Sequence, residues 1–349
     1  MLSTRLADHK SRAVISAAGS RKTELVINSA LSENAGRVLV TTFTNENQNQ
    51  IVRRIESKVG FLPAHVEVVG WFTFLINQCA KPYQRKLTGR PLTIKGLNFQ
   101  GRRNRFTPKA SLRYFMDGSG KLFRDGISDF VVLLNAATRG AVVSRLRRIY
   151  SLILIDEVQD LVGYDLDFLD ILIRSRIPLV VVGDPRQHIL STNLGSRNKK
   201  YAGAGLLNWF AERTDICTLQ VDSPSYRCNQ QICDFADLLF PEFPRTISVD
   251  VPETRHDGIF EVRRSELEPY IREFGPVTAL RHNRDADTQG LRAVNIGVAK
   301  GQTFDRVLIF PTAPMLRFLK SRDPGCLSDR ERLYVAATRA RFSVAFVVP

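Results

Sequence analysis

Two pairs of residues in this 349-residue chain have the types and spacing to handle phosphate. Asp156 and Glu157 follow the apolar run Leu152-Ile-Leu-Ile155, and Lys22 and Thr23 follow the loop Ser16-Ala-Ala-Gly-Ser-Arg21. A carboxylate at the end of a buried parallel strand can hold hydrated Mg2+ while its neighbour polarises a water. Asp156 suits the metal role and Glu157 the water role. In isolation such a pair reads more simply as a charged turn after a core strand, so the rest of the chain must decide. Lys22 would reach the β- and γ-phosphates of a nucleotide, Thr23 would ligate Mg2+, and the amides around Gly19 and Ser20 would face the anion.

These groups need particular elements to hold them. Ala13–Ala17 predicts a strand, residues 18–22 a tight loop and Thr23–Leu31 a helix, the order a phosphate cradle requires. The match to G-x-x-x-x-G-K-[ST] is imperfect, because Ser16 and Arg21 occupy the two glycine positions. At Arg21 a Cβ and a long side chain enter where backbone normally approaches phosphate. Val38–Phe43 predicts the next strand, and Thr44-Asn45 caps a helix running to about Lys58. Phe43 at the strand exit can stack on a base, and Thr42, Thr44 and Asn45 can bond phosphates. A third strand, Val66–Val69, leads into Gly70-Trp-Phe-Thr-Phe-Leu75, a helix that opens with aromatics. The run Ile177–Val182 is a further buried strand, adjacent to the one ending at Asp156, and it ends in Gly183-Asp-Pro-Arg-Gln187. Gln187 can sense a γ-phosphate, since an amide donates to phosphate oxygen and accepts from water.

Composition points to a polyanionic partner. The formal net charge is +15 with a pI near 9.9, more than surface solubility asks for. The excess concentrates between Lys81 and Arg124, where twelve Lys and Arg face one acid, Asp117. Phe99, Phe106, Tyr114 and Phe115 are interleaved among them, so the stretch reads as an inserted, nucleic-acid-facing subdomain. Arg102, Arg103 and Arg105 are its densest cluster; the plainer alternative is a solvated basic face. No apolar run approaches a membrane span and no signal-peptide pattern is present, which leads us to expect a cytoplasmic protein without membrane contact. Five scattered cysteines without further zinc-spaced partners read as reduced thiols.

Taken in order, these stretches resemble superfamily 1 helicases of the UvrD/Rep type. Ser-Ala-Ala-Gly-Ser-Arg-Lys-Thr is similar to the Walker A motif, Thr-Phe-Thr-Asn at 42–45 and Gly-Trp-Phe-Thr-Phe-Leu at 70–75 to two DNA-contact motifs, and Asp-Glu-Val-Gln-Asp at 156–160 to Walker B. Gly-Asp-Pro-Arg-Gln resembles the coupling motif, followed by Ser-Tyr-Arg at 225–227, Val-Ala-Lys-Gly-Gln-Thr-Phe-Asp at 298–305 and Tyr-Val-Ala-Ala-Thr-Arg-Ala-Arg at 334–341. The resemblance implies an α/β protein of two RecA-like P-loop NTPase domains with parallel sheets, binding ATP and Mg2+ between them. It implies that Tyr226 stacks on adenine, that Arg227 and Arg339 neutralise the transferring phosphoryl group, and that Gly301 and Thr303 lie against the nucleotide. It also implies that Phe43, Phe72, Thr73 and the basic insertion hold a single strand, of DNA rather than RNA by analogy.

Departures from the family pattern accompany it. No glutamine stands in Met1–Val14 to read adenine, Thr303 replaces an acid, and Ile189-Leu190 replaces an aromatic. Two roles are open to Arg21, an extra phosphate ligand or an obstruction. About ten residues separate Asn283 from Val294, where larger members insert a regulatory subdomain. We expect residues 1–80 with 149–205 to form the first domain, 81–148 the inserted subdomain and 206–349 the second domain. The leading expectation is a strand-stimulated ATPase that moves on DNA in repair, recombination or phage defence. The alternatives are a nucleic-acid-binding module with a degenerate ATPase site, and an ATP-gated protein partner in a repair or defence complex. An appended nuclease is not expected, since eight residues follow the last motif.

Overall fold

A computed structural model describes residues 11–32, 36–88, 93–104, 106–192 and 195–349. The chain divides into two compact units. The first comprises Met1–Ile15, Lys22–Pro185 and Ser191–Gln220; the second comprises Ser16–Arg21, Arg186–Leu190 and Val221–Pro349.

The first unit is built on strands β1 (Ser11–Ser16), β2 (Arg37–Thr42) and β3 (Val66–Gly70), a minor pair β4 (Gly96–Asn98) and β5 (Lys121–Phe123), then β6 (Tyr150–Ile155), β7 (Leu179–Gly183) and β8 (Cys217–Asp222). The main sheet runs β3-β2-β6-β7-β1-β8, and the pairings β1·β7, β6·β7, β2·β6 and β2·β3 are all parallel. Central strands of such a sheet are covered on both faces, which is why β6 and β7 read as unbroken Leu, Ile and Val. Helices α1 (Lys22–Ser32) and α2 (Asn45–Val59) cover one face, with Val26, Ile27, Ile51 and Ile55 buried against Val38, Val40, Leu152 and Leu154. Each such side chain contributes about 1.5–3 kcal/mol of burial. Thr44 caps α2 by accepting from the Asn47 amide at 3.1 Å, and Gly60 closes it in a left-handed conformation.

Helix α3 (Trp71–Phe74) continues as a π-helical stretch, Leu75–Ala80. The sequence pattern over residues 129–150 reads as one helix, but the chain forms two, Ile127–Ala137 and Ala141–Ile149, bent by 99°. Arg139 and Gly140 both take positive φ there, and Thr138 Oγ1 donates back to the Leu134 carbonyl at 2.7 Å, so the first helix stops. No single helix among the described residues is long and apolar enough to cross a membrane.

The segment Ser191–Gly205, hydrophilic in sequence, is pinned in its described part. Arg197 makes two 2.9 Å bonds to Asp167, and Asn198 donates to the Gly163 carbonyl at 2.9 Å. The boundary expected at residue 205 falls after Gln220 in the compact units, because β8 extends the first sheet beside β1.

The second unit adds a short pair, β9 (Pro224–Ser225) and β10 (Ile247–Ser248), and a parallel sheet of β11 (Gly258–Arg263), β12 (Thr278–Arg281), β13 (Ala293–Asn295), β14 (Phe304–Phe310) and β15 (Ala340–Val348). Its order is β11-β15-β14-β12-β13, with every pairing parallel. The helix ahead of the last strand spans Arg330–Ala337, and Ala340 already belongs to β15. Arg339 therefore lies in the turn, buried, while Arg341 on the strand is half-buried and pairs with Asp305 at 3.0 Å. The two arginines part company as their spacing of two demands.

Candidate functional site

Asp156 leaves β6 at its carboxyl end and is 4% exposed. Its Oδ2 accepts from Thr23 Oγ1 at 3.0 Å, so the first turn of α1 and the end of β6 meet at one oxygen. Burial, reinforced by the Glu157 charge, pushes the Asp156 carboxyl up to about 6, with Thr23 and Lys22 pulling the other way. A buried carboxylate short of positive charge next to a threonine hydroxyl is a hard-oxygen donor pair, and it fits Mg2+ shared with phosphate oxygens. Thr23 and Asp156 are the residues that would hold the ion, which would supply charge neutralisation to the phosphates. Glu157 takes a left-handed φ of 59° directly after Asp156, and its amide donates to Asp156 Oδ1 at 2.9 Å. A non-glycine residue in that region bears strain, which here turns the carboxylate off the strand line.

Gln159, not singled out from the sequence, fixes that carboxylate. Its Nε2 donates to Glu157 Oε2 and its Oε1 accepts from the Asp184 amide at 3.0 Å. The signal for it was the polar residue inside Asp-Glu-Val-Gln-Asp, buried where a helix face would leave it wet.

A second grouping in the first unit gathers most of the residues expected to contact a strand. Phe43, Thr44, Asn45, Phe72 and Thr73 line a groove of about 420 Å³ together with Gln48, Leu97 and Phe99. Phe43 and Phe72 meet edge to face with ring centroids 5.7 Å apart, and Phe72 meets Phe99 at 6.1 Å. Phe99, from the inserted segment, is 63% exposed. Trp71, beside Phe72, faces the other way, donating to buried Asp165 at 2.6 Å, and so anchors the helix that carries Phe72. Thr42 is buried at the end of β2 and does not line this groove. In the insertion Arg102 is exposed, whereas Arg103 is bound to Asp129 at 2.8 Å and Asp125 at 3.5 Å with its side chain 10% exposed. The reading of Arg103 as a phosphate contact is corrected accordingly, since its fork is committed to two carboxylates. Arg105 lies outside the described residues.

The second unit holds the loop residues Gly19, Ser20 and Arg21 against the 225–227 turn. Tyr226 donates its amide to the Gly19 carbonyl at 3.0 Å. A Cβ built on Gly19 would sit 2.6 Å from Arg227 Cβ and 2.7 Å from Ser225 Oγ, and Gly19 has φ of 79°, so only glycine fits. Ser20 closes the loop by donating its amide to the Ala17 carbonyl at 3.3 Å. Arg21 has φ of 64°, preserving in an arginine the backbone shape the P-loop pattern reserves for glycine. Its guanidinium carbon lies 3.8 Å from the Tyr226 ring centroid. The Ala18 amide donates to Tyr334 Oη at 3.2 Å, a contact the sequence reading missed.

Arg339, 1% exposed, donates to Gln187 Oε1 at 2.9 Å, to the Val335 carbonyl at 3.1 Å and to the Gln302 carbonyl at 3.3 Å. It thereby ties the coupling motif to the turn containing Gly301, which has φ of 86°. Arg227 donates to the Thr338 carbonyl at 3.1 Å, next to Arg339. Thr303 is exposed ahead of β14. Arg186, also missed, is buried over Phe243 and Tyr334 at 5.0 and 5.1 Å and lies 3.8 Å from Asp237. The Arg in Gly-Asp-Pro-Arg-Gln thus anchors the segment that presents Gln187.

Residues 75–196 match the family model described as the UvrD/REP helicase N-terminal domain. The family likeness is one of this stretch. The expected resemblance to helicases of the UvrD/Rep type is borne out over these residues, and the expected α/β class with parallel sheets is seen in both units. The matched stretch carries Asp156, Glu157, Gln159 and Gln187; Lys22 and Thr23 precede it, and Arg227 and Arg339 follow. No curated protein matches the chain in sequence. Among solved structures, arterivirus nonstructural protein 10 (helicase) is similar with a TM-score of 0.49 and 15% identity, over 97% of this chain and 60% of that one. The same protein in complex with DNA gives 0.48 and 15%, over 97% and 61%. The chain thus spans about three fifths of the length of these structures.

Proposed function

We propose that the protein is a nucleic-acid-stimulated ATPase that couples hydrolysis to movement along a single strand, DNA by preference. The observation that carries this reading is the bonding of Thr23 to Asp156 beside a Glu157 held by Gln159, inside a chain with a UvrD/REP-type domain. Lys22 and the loop amides bind phosphate, Thr23 and Asp156 hold Mg2+, and Glu157 orients and deprotonates the attacking water. Gln187 reports the γ-phosphate, and Arg227 and Arg339 stabilise charge on the transferring group. ATP turnover measured alone, with single-stranded DNA and with RNA, at two salt concentrations, tests the proposal. Stimulation by DNA that weakens with salt is expected, and equal turnover under all conditions would remove the reading.

The groove of Phe43, Phe72 and Phe99 supports strand binding through stacking. Base–aromatic stacking is worth about 1–3 kcal/mol per base, or about 5- to 150-fold in affinity. Phe72→Ala and Phe99→Ala are each expected to weaken oligothymidine binding within that range, by fluorescence anisotropy. Affinity unchanged in both variants would take the groove out of the interface.

A second reading, a strand-binding module whose ATP site turns over feebly, is favoured by one observation, the arginine at position 21. It predicts tight strand binding indifferent to ATP.

A further inference from the structure

Arg21 and Tyr226 are held in register by backbone on both sides. The Tyr226 amide bonds the Gly19 carbonyl at 3.0 Å, and the absent side chain of Gly19 lets the loop approach the Ser225–Arg227 turn to within van der Waals contact. Arg21 adopts its left-handed φ of 64° at a conformational cost glycine would not bear. From that position its guanidinium carbon reaches 3.8 Å from the Tyr226 centroid, a stacking distance. Arg21 itself is exposed, so the contact is a swappable surface pair rather than a buried strut.

We propose that Arg21 is the resident occupant of the stacking face of Tyr226, so that a nucleobase binds there only by exchanging with the guanidinium. Arg21 then sets how strongly the site favours a nucleotide over bare polyphosphate: it taxes the base, and leaves the phosphates alone. The inference rests on the reading of Tyr226 as the residue that stacks on the nucleotide's base. A planar guanidinium and a planar purine compete for one ring face, and cation–π pairing at an exposed site is a few-fold effect in affinity.

Calorimetric titration of the full chain with ATP and with inorganic tripolyphosphate separates the possibilities. In Arg21→Gly, ATP is expected to bind about 2- to 5-fold more tightly while tripolyphosphate binding does not tighten. Arg21→Asn, which tolerates the same backbone, should repeat the gain, and adding Tyr226→Ala to either variant should erase it. Parallel weakening of both ligands would make Arg21 a phosphate ligand and overturn the proposal. Equal tightening of both would report relieved loop strain, and unchanged ATP binding would mean the base uses other surroundings; either result also overturns it. A wild type that hydrolyses ATP on a strand yet shows no Arg21 effect rejects this inference alone. A wild type that binds no ATP rejects the proposed function as well.

Discussion

Glu157→Gln is expected to lower strand-stimulated ATP turnover by about 10²- to 10⁴-fold, the usual contribution of a positioned general base, and to leave ATP and strand binding in place. The substitution keeps size and shape, so the left-handed backbone at residue 157 is not newly strained. A glutamine oxygen can still accept from Gln159, and the Glu157 amide still donates to Asp156. What disappears is the base. Steady-state hydrolysis with saturating single strand, beside equilibrium ATP binding, checks both halves. Turnover within a few-fold of wild type would assign the water to another group and leave Glu157 as a turn residue.

Arg339→Ala is expected to reduce kcat by about 10³-fold or more, the lower end of what an arginine finger supplies. Its buried position adds a second consequence. The side chain satisfies Gln187 Oε1 and the carbonyls of Val335 and Gln302, and an orphaned buried acceptor costs about 1–3 kcal/mol. Arg339→Ala should therefore also lower the unfolding midpoint. Arg339→Lys retains the cation but has no fork, so it should recover part of the stability and little of the rate. A kcat loss that merely follows the stability loss through both variants would make Arg339 a brace between the coupling motif and the 300–303 turn, with no part in the chemistry.

The strand-loop-helix around Gly19, the acidic turn and the capped α2 helix were all legible because each is written locally. Thr44 caps whichever helix follows it, Leu152–Ile155 must be buried, and the acids must then emerge at the strand end. The same reasoning failed where a contact rather than a pattern decides. Arg102 and Arg103 are adjacent and alike in sequence, yet the fold brings Asp129 to Arg103 and leaves Arg102 exposed. Residues 129–150 carry a continuous helical pattern, and the break follows from positive φ at Arg139 and Gly140. Arg21 was recognisable as an anomaly, but its options stayed open until Tyr226 was found beneath it.

By itself, then, the order of residues determined the α/β class, the loop-strand-acid series and the candidates to meet phosphate and Mg2+, because periodicity and loop composition act within a few residues of themselves. Only the tertiary structure decided how those residues are supported: Gln159 bridging Glu157 to the Asp184 amide, Tyr334 meeting the Ala18 amide, Arg339 holding Gln187. The last two partnerships join positions more than 150 residues apart. Packing within each unit selects such partners from many chemically equivalent side chains, and nothing in the spacing of the chain distinguishes them beforehand.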